Sequence, residues 1–395
     1  MKIVIGADSY APDINGAARF AGRLARGLAA RGHEVHVVSA STEGPEQLEH
    51  DGAVTIHRMR SIRYRWHATM RVCLPWLAGP DARDLLEQLQ PDVVHVQSHM
   101  VVGRAVANAA DRLGIPLVAT NHFVPENVFG YVPFLPRRFH GPAGRMAWRD
   151  LARVFGQADV ITAPTPLAVS LLTEATGLSG EAVSNGIDVQ RYQEAARQAE
   201  LNADPQAGPV ILFVGRLDQE KRVDELIAAF ARIPAETGAR LEIVGGGDQF
   251  DALVGFAAEL GVDDRVSFLG QVSDEELLAA YGRASIFCMP GVAELQSLVT
   301  LEAMSAGKPV VAANAMALPH LVQSGHNGWL YTPGDIGELA LRLSTLVADP
   351  RLRERMGQHS RTMVSHHDFE ATLDTFTEIY ASAGAAVRGQ LRSVA

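Results

Sequence analysis

Short β-branched or apolar runs alternate with longer amphipathic stretches along this chain, and the alternation occurs in two separate series. The first places apolar runs at 2–5, 34–39, 92–96 and 116–120, with amphipathic stretches at 17–31 and 103–113. The second begins at Pro209, with runs at 210–214, 240–244, 266–269, 286–289 and 309–312 separated by helical patterns at 223–232, 250–260, 274–281 and 297–306. A strand covered on both faces reads as apolar throughout, and a parallel neighbour can be reached only through a long crossover. The rhythm therefore predicts βαβ units and an α/β class with two doubly wound, Rossmann-like parallel sheets. A length of 395 residues points the same way, because single cores stop growing at roughly 250–300 residues. The expected boundaries are 1–190 for the first domain, 191–208 for a polar, Ala-rich linker without strand signals, and 209–368 for the second. A C-terminal helix at about 369–395 is expected to complete the first domain.

Several classes of function are set aside by composition. No window approaches the roughly 18 consecutive apolar residues of a membrane-spanning helix. The opening Met1-Lys2-Ile3-Val4-Ile5 reads as a buried strand rather than a secretory signal. Only two cysteines occur, Cys73 and Cys288, which suits a reducing compartment and a cytoplasmic protein. A net charge of −10 argues against nucleic acid as a partner. A dinucleotide site would require Gly-x-Gly-x-x-Gly after the first strand and an acid ending the second. The chain instead runs Gly6-Ala7-Asp8-Ser9-Tyr10, and its second strand ends Val38-Ser39-Ala40. Gly245-Gly246-Gly247 follows a strand but lacks the remaining spacing.

The informative segment is Glu294-Leu295-Gln296-Ser297-Leu298-Val299-Thr300-Leu301-Glu302. Two glutamates flank a helix start, where unpaired amides and the positive end of the helix dipole suit a diphosphate. Glu294 is placed to meet a sugar and Glu302 a ribose, since carboxylates accept paired hydroxyl hydrogen bonds; a cap and a solvated helix residue are the plainer reading of the same pair. Arg216 and Lys221, in Gly215-Arg216-Leu217-Asp218-Gln219-Glu220-Lys221, offer a planar fork and a compact charge for two phosphates.

Those motifs, with Glu302-Ala303-Met304-Ser305-Ala306-Gly307-Lys308-Pro309, Thr120-Asn121-His122 and Ser184-Asn185-Gly186-Ile187-Asp188, resemble the retaining nucleotide-sugar glycosyltransferases of family 4. The resemblance covers nearly the whole chain. It implies the GT-B fold, two Rossmann-like domains facing across a cleft that closes during the reaction, with the donor mainly on the C-terminal domain and the acceptor on the other. It further implies that Arg216 and Lys221 hold the diphosphate, that Glu302 holds the ribose, and that Glu294 holds the donor sugar. Backbone around Leu269 and Gln271 would frame the base, and that of Ser297, Leu298 and Val299 the phosphates. Gly16 would admit the phosphates close to the backbone, although the paired glycine of many relatives is Ala17 here. His122 corresponds to the family's cleft histidine. A UDP-sugar is the first expectation for the donor and GDP-mannose the second. No Asp-x-Asp triplet occurs, so no metal or other cofactor is expected, and the cations with the helix terminus would stabilise the leaving group. The residues leave a covalent and a front-face retaining mechanism both open.

Arginine and aromatic residues interleave over 58–77 and 132–153, within the domain expected to bind the acceptor. Such a pattern suits an anionic membrane surface or a phosphorylated acceptor, and it equally suits a partly solvated helix and loop surface with core aromatics. The expected acceptor is a lipid hydroxyl at the inner membrane face, with a soluble small molecule as the alternative. A nucleotide-sugar epimerase and a non-catalytic sugar-nucleotide binder are the readings from other classes.

Overall fold

The computed structural model describes residues 1–13, 15–64, 71–125, 137–201 and 208–394. They form two compact units, one made of Met1–Ser184 with Ala371–Ala395 and the other of Asn185–Glu370.

The first unit is built on an eight-stranded sheet. Its strands are β1 (Lys2–Gly6), β2 (Glu34–Ala40), β3 (Gln47–Asp51), β4 (Val54–Met59), β7 (Val93–Val96), β8 (Leu117–Thr120), β9 (Val160–Ala163) and β10 (Glu181–Ala182). β5 (Ser61–Arg63) and β6 (Arg71–Cys73) pair as a separate antiparallel ribbon. The sheet order is β10-β9-β8-β7-β1-β2-β4-β3, parallel except for the edge strand β3, which runs antiparallel to β4. Helices α1 (Gly16–Ala30), α2 (Pro75–Leu89), α3 (Val101–Leu113), α4 (His140–Phe155) and α5 (Pro166–Thr176) supply the crossovers. Every residue of β7 is buried, which is what an unbroken Val-Val-His-Val run requires. β3 and β4 escape sequence reading because their polar residues alternate with apolar ones, the mark of an edge ribbon rather than of a central strand.

The second unit holds a six-stranded sheet in the order β13-β12-β11-β14-β15-β16. These are β11 (Val210–Val214), β12 (Arg240–Val244), β13 (Val266–Gly270), β14 (Ile286–Met289), β15 (Val310–Ala313) and β16 (Gly328–Tyr331). Around them lie α6 (Val189–Leu201), α7 (Val223–Phe230), α8 (Phe250–Glu259), α9 (Asp274–Arg283), α10 (Leu298–Ser305), α11 (Leu318–Leu321), α12 (Ile336–Ala348) and α13 (Pro350–Val364). The last helix, α14 (Phe369–Val394), belongs to the first unit from Ala371 onward.

One expectation needs correcting. The segment read as a linker over 191–208 is, up to Leu201, the body of α6, and the first unit ends at Ser184 rather than at 190. Val189, Tyr192 and Ala196 bury one face of α6, and the Tyr192 ring stands edge-on to Tyr281 at 5.4 Å. The alanines that resembled linker composition serve a close helix contact: a Cβ on Gly282 of α9 would lie 2.9 Å from the Ala195 carbonyl oxygen. Residues 202–207 of the expected linker lie outside the described residues.

Among the described residues, no helix is long and apolar enough to cross a membrane. α14 is tied to the first sheet by a polar bond inside the core: Nδ1 of the fully buried His95 lies 2.7 Å from the Tyr380 hydroxyl, and Nε2 lies 2.6 Å from Thr120 Oγ1. Tyr380→Phe removes the shorter bond to that ring nitrogen and leaves it only the longer one from Gln97 Nε2 at 3.3 Å, at a cost of about 1 kcal/mol. A lowered urea midpoint with the activity retained is the expected result, and an unchanged midpoint contradicts the assignment.

Candidate active site

The strand order of the second unit reverses between β11 and β14, and parallel α/β sheets bind ligands at the carboxyl ends of strands where this happens. The loops leaving those two strands carry the predicted site. After β11 comes the one-turn helix Gln219–Lys221, and Arg222, with φ of 49°, turns the chain into α7. After β14 the loop runs through Gly291 and Glu294 to the N-terminus of α10. The two loops are pinned together where the Val292 N–H donates to the Glu220 carbonyl at 3.0 Å.

Across that junction Lys221 Nζ lies 2.5 Å from Glu294 Oε1, with the side chains only 16% and 11% exposed. Two motifs separated by 73 residues thus meet as one nearly buried ion pair. Arg216 has other partners in the same loop. Its guanidinium is held by Asp218 at 2.5 Å and Glu220 at 3.1 Å, so the two cations have separate carboxylate partners. Glu302, one face along α10, is 2% exposed and accepts from the Tyr281 hydroxyl at 2.8 Å.

The start of α10 is organised around Ser297, which is buried. Its carbonyl accepts the Thr300 and Leu301 amides at 3.1 Å each, and its Oγ accepts from Thr300 Oγ1 at 2.8 Å. The amides of Leu298 and Val299 precede the helical ladder and carry the positive end of the helix dipole. Just upstream, the Asn185 N–H donates to Gln296 Oε1 at 2.9 Å. That bond joins the Ser184–Asp188 motif to the glutamate segment, a link that spacing alone did not reveal.

Leu269 and Gln271 stand at the carboxyl end of β13, beside the loop Gly245-Gly246-Gly247. The triple glycine turns out to be a packing device. Gly245 has φ of 130°, and a Cβ there would sit 1.9 Å from the Gly215 carbonyl oxygen. Without side chains the loops after β11 and β12 touch, and the Leu217 N–H donates to the Gly246 carbonyl at 2.9 Å.

In the first unit Gly16 opens α1, whose N-cap Asn15 accepts from the Ala18 amide, and a Cβ on Gly16 would meet nothing within 4 Å among the described residues. His122 follows β8. Its Nε2 donates to Gln97 Oε1 at 2.7 Å, because that oxygen can only accept, and its ring packs on Phe20 at 5.3 Å. In the neutral ring Nδ1 is therefore left as an acceptor. Burial pushes His122 down to about 4, and likewise His99 to about 4 and His95 to about 3.

The Arg-aromatic stretches divide. Arg58 is buried: it donates to Glu49 at 3.0 Å and to the Ala11 carbonyl, and lies over the Tyr10 ring, so it is a core cation. Trp76, by contrast, is 70% exposed. Residues 65–70 and 132–136 lie outside the described residues. In α4, Arg145, Arg149 and Arg153 are exposed, while Trp148 packs inward on Phe123 at 5.8 Å.

Residues 14–191 match the family model described as Glycosyltransferase Family 4, and residues 194–363 match that described as Glycosyl transferases group 1. The chain is 30% identical to a GDP-mannose-dependent alpha-mannosyltransferase of Mycolicibacterium smegmatis, over 84% of each chain. It is 28% identical to the sulfoquinovosyl transferase of Arabidopsis thaliana, over 91% of this chain and 69% of that one. In structure it is similar to the Anabaena protein HepE in complex with UDP-glucose, with a TM-score of 0.75 at 22% identity over 97% of this chain and 100% of that one.

His95, His99 and His122 contribute a pH dependence. Each has a folded pKa below the ordinary value near 6.5, so the unfolded chain binds the extra protons, and stability that is full above about pH 6.5 is lost as pH falls toward 4. The loss is at most about 1.4 kcal/mol per pH unit for each group. Urea midpoints at pH 7 and pH 5 test this, and equal midpoints contradict it.

Proposed function

We propose, from the fact that this chain belongs to glycosyltransferase family 4 and is a hexosyltransferase of the GT-B fold, that it transfers a hexose with retention from a UDP-sugar to a lipid hydroxyl. The observation that carries this reading is the Lys221–Glu294 pair beside the start of α10. In it the ammonium is held at the switch point of the sheet, where a pyrophosphate bound by the Leu298 and Val299 amides would share it with the carboxylate. Glu294 keeps Oε2 for hydroxyls of the donor sugar, and Arg216 adds charge from the neighbouring loop. Glu302, partnered by Tyr281, is assigned to the ribose, and backbone at Leu269 and Gln271 to the base. His122 contributes a neutral Nδ1 that accepts a hydroxyl hydrogen bond.

Breaking the anomeric bond adds one negative charge to a diphosphate that already carries two. A fixed cation and aligned amides stabilise that charge without reorganisation, so the reaction is proposed to need no metal. A front-face course is favoured over a covalent one, because Glu294 is committed here to Lys221 and to the hydroxyls of the donor sugar. The leaving phosphate then accepts the proton of the attacking hydroxyl.

UDP is favoured as the donor nucleotide on the likeness to HepE with UDP-glucose, and GDP-mannose is the second reading on the likeness to the mannosyltransferase. A lipid acceptor is supported by the exposed arginines of α4 and by Trp76, which suit an anionic membrane surface.

The test is initial-rate kinetics with UDP-glucose and GDP-mannose, with and without magnesium and chelator. Lys221→Ala and Glu294→Gln should each lower kcat/KM at least about a hundredfold, roughly 2.7 kcal/mol of lost transition-state stabilisation, with an unchanged circular dichroism spectrum. Near-normal turnover in either variant, or activity that requires the metal, overturns the mechanism.

A further inference from the structure

Among the described residues, three that are not glycine have positive φ: Gln90, Arg222 and Met316. Arg222, at φ 49° and ψ 41°, directly follows Lys221 and separates the one-turn helix Gln219–Lys221 from α7. The left-handed conformation crowds the Cβ of an L residue against the following carbonyl oxygen, a cost that glycine escapes. Relaxation of Arg222 to the helical φ near −63°, a swing of roughly 110° from its 49°, would let the one-turn helix run on into α7 and re-aim the Lys221 side chain.

One acid opposes that relaxation. Glu225, in the first turn of α7, is 8% exposed, and its Oε1 accepts from Arg222 Nη1. Its Oε2 accepts from the Tyr331 hydroxyl and from the Gly334 amide, each at 3.0 Å. Tyr331 is buried and ends β16, so the carboxylate is anchored to the sheet through one oxygen while the other grips the guanidinium. The Glu225 amide donates to the Arg222 carbonyl at 3.1 Å and closes the turn.

An acid in the first turn of a helix is ordinarily explained by the helix dipole, and Asp224 already supplies one there. The dipole asks neither for burial nor for bonds to β16. Desolvating a carboxylate is expensive, so one held by donors from three separate segments points to a geometric task.

We propose that Glu225 is a positioning residue of the donor site: it latches Arg222 in the left-handed turn and thereby aims Lys221 at Glu294 and at a bound diphosphate. The inference rests on the reading of Lys221 as the diphosphate cation. It adds a residue that touches neither nucleotide nor sugar and acts through the backbone at 222.

The probes are UDP and UMP, with GDP and GMP in parallel, titrated calorimetrically into the full chain. The ratio of diphosphate to monophosphate affinity isolates the second phosphate, because both nucleotides share base and ribose contacts. Glu225→Gln keeps an oxygen for Tyr331 and Gly334 but turns an amide on Arg222. It should lower the ratio at least about fivefold with the monophosphate affinity unchanged. Arg222→Ala, at a part-exposed position, should do the same, since alanine keeps the left-handed cost and loses the latch. Arg222→Gly escapes that cost and should hold a ratio at least about threefold above Arg222→Ala; adding Glu225→Gln to it should change the ratio less than about twofold. A role confined to stability would lower the melting temperature and weaken both nucleotides alike. Wild-type ratios in Glu225→Gln and Arg222→Ala, or equal ratios for alanine and glycine at 222, overturn the proposal, and the pair at 222 decides alone if Glu225→Gln does not fold. Lys221→Met in the same series separates the two failures. A ratio that falls in Lys221→Met but in neither Glu225→Gln nor Arg222→Ala sinks this inference alone, whereas a ratio that survives Lys221→Met sinks the reading of the donor site and this inference with it.

Discussion

The ion pair between Lys221 and Glu294 is the interaction on which the site depends. Burying an ammonium and a carboxylate is expensive, and such a pair adds little net stability compared with apolar packing. Its value here is positional. The carboxylate fixes a cation between the two loops that leave β11 and β14, at the reversal of strand order where α/β sheets bind ligands. In the proposed role, a flexible lysine on a surface loop would have to lose its side-chain freedom during the reaction, while this one has lost it on folding. The Val292 to Glu220 backbone bond holds the same junction, and the Asn185 to Gln296 bond ties the loop after β14 to the Ser184–Asp188 segment.

The first unit uses burial to reach a related end. His95 is consumed by structure, with both ring nitrogens bonded to Tyr380 and Thr120. His122 differs by a single feature: one nitrogen is committed to Gln97, which fixes the tautomer and leaves the other to accept. His99 has an Nδ1 with no partner among the described residues. Three histidines at the ends of adjacent strands thus range from fully satisfied to open, and their low pKa values keep all of them uncharged near neutrality.

Much of this was legible in the sequence, for identifiable reasons. Central parallel strands are buried on both faces, so β1, β7, β11 and β14 announce themselves as unbroken apolar runs. Edge elements do not, and β3 and β4 were missed for their polar alternation. α6 resembles a linker in sequence because alanine serves both linkers and close helix contacts, and the facing Gly282 decides between them. In the candidate site, the motifs singled out residues but not their pairing: Lys221 joins Glu294, whereas Arg216 turns to Asp218 and Glu220. Gly245-Gly246-Gly247 carried a signal of close backbone approach, and in the structure the loop after β11 is what approaches it.

If the fixed ammonium at 221 is there to hold the second phosphate of a nucleotide, its effect should depend on that phosphate. The most direct measurement is calorimetric affinity for a nucleoside diphosphate and the matching monophosphate, in the wild type and in Lys221→Met. The account predicts a wild-type preference of at least about tenfold for the diphosphate, or 1.4 kcal/mol, that disappears in the variant. A preference that survives the substitution would contradict it.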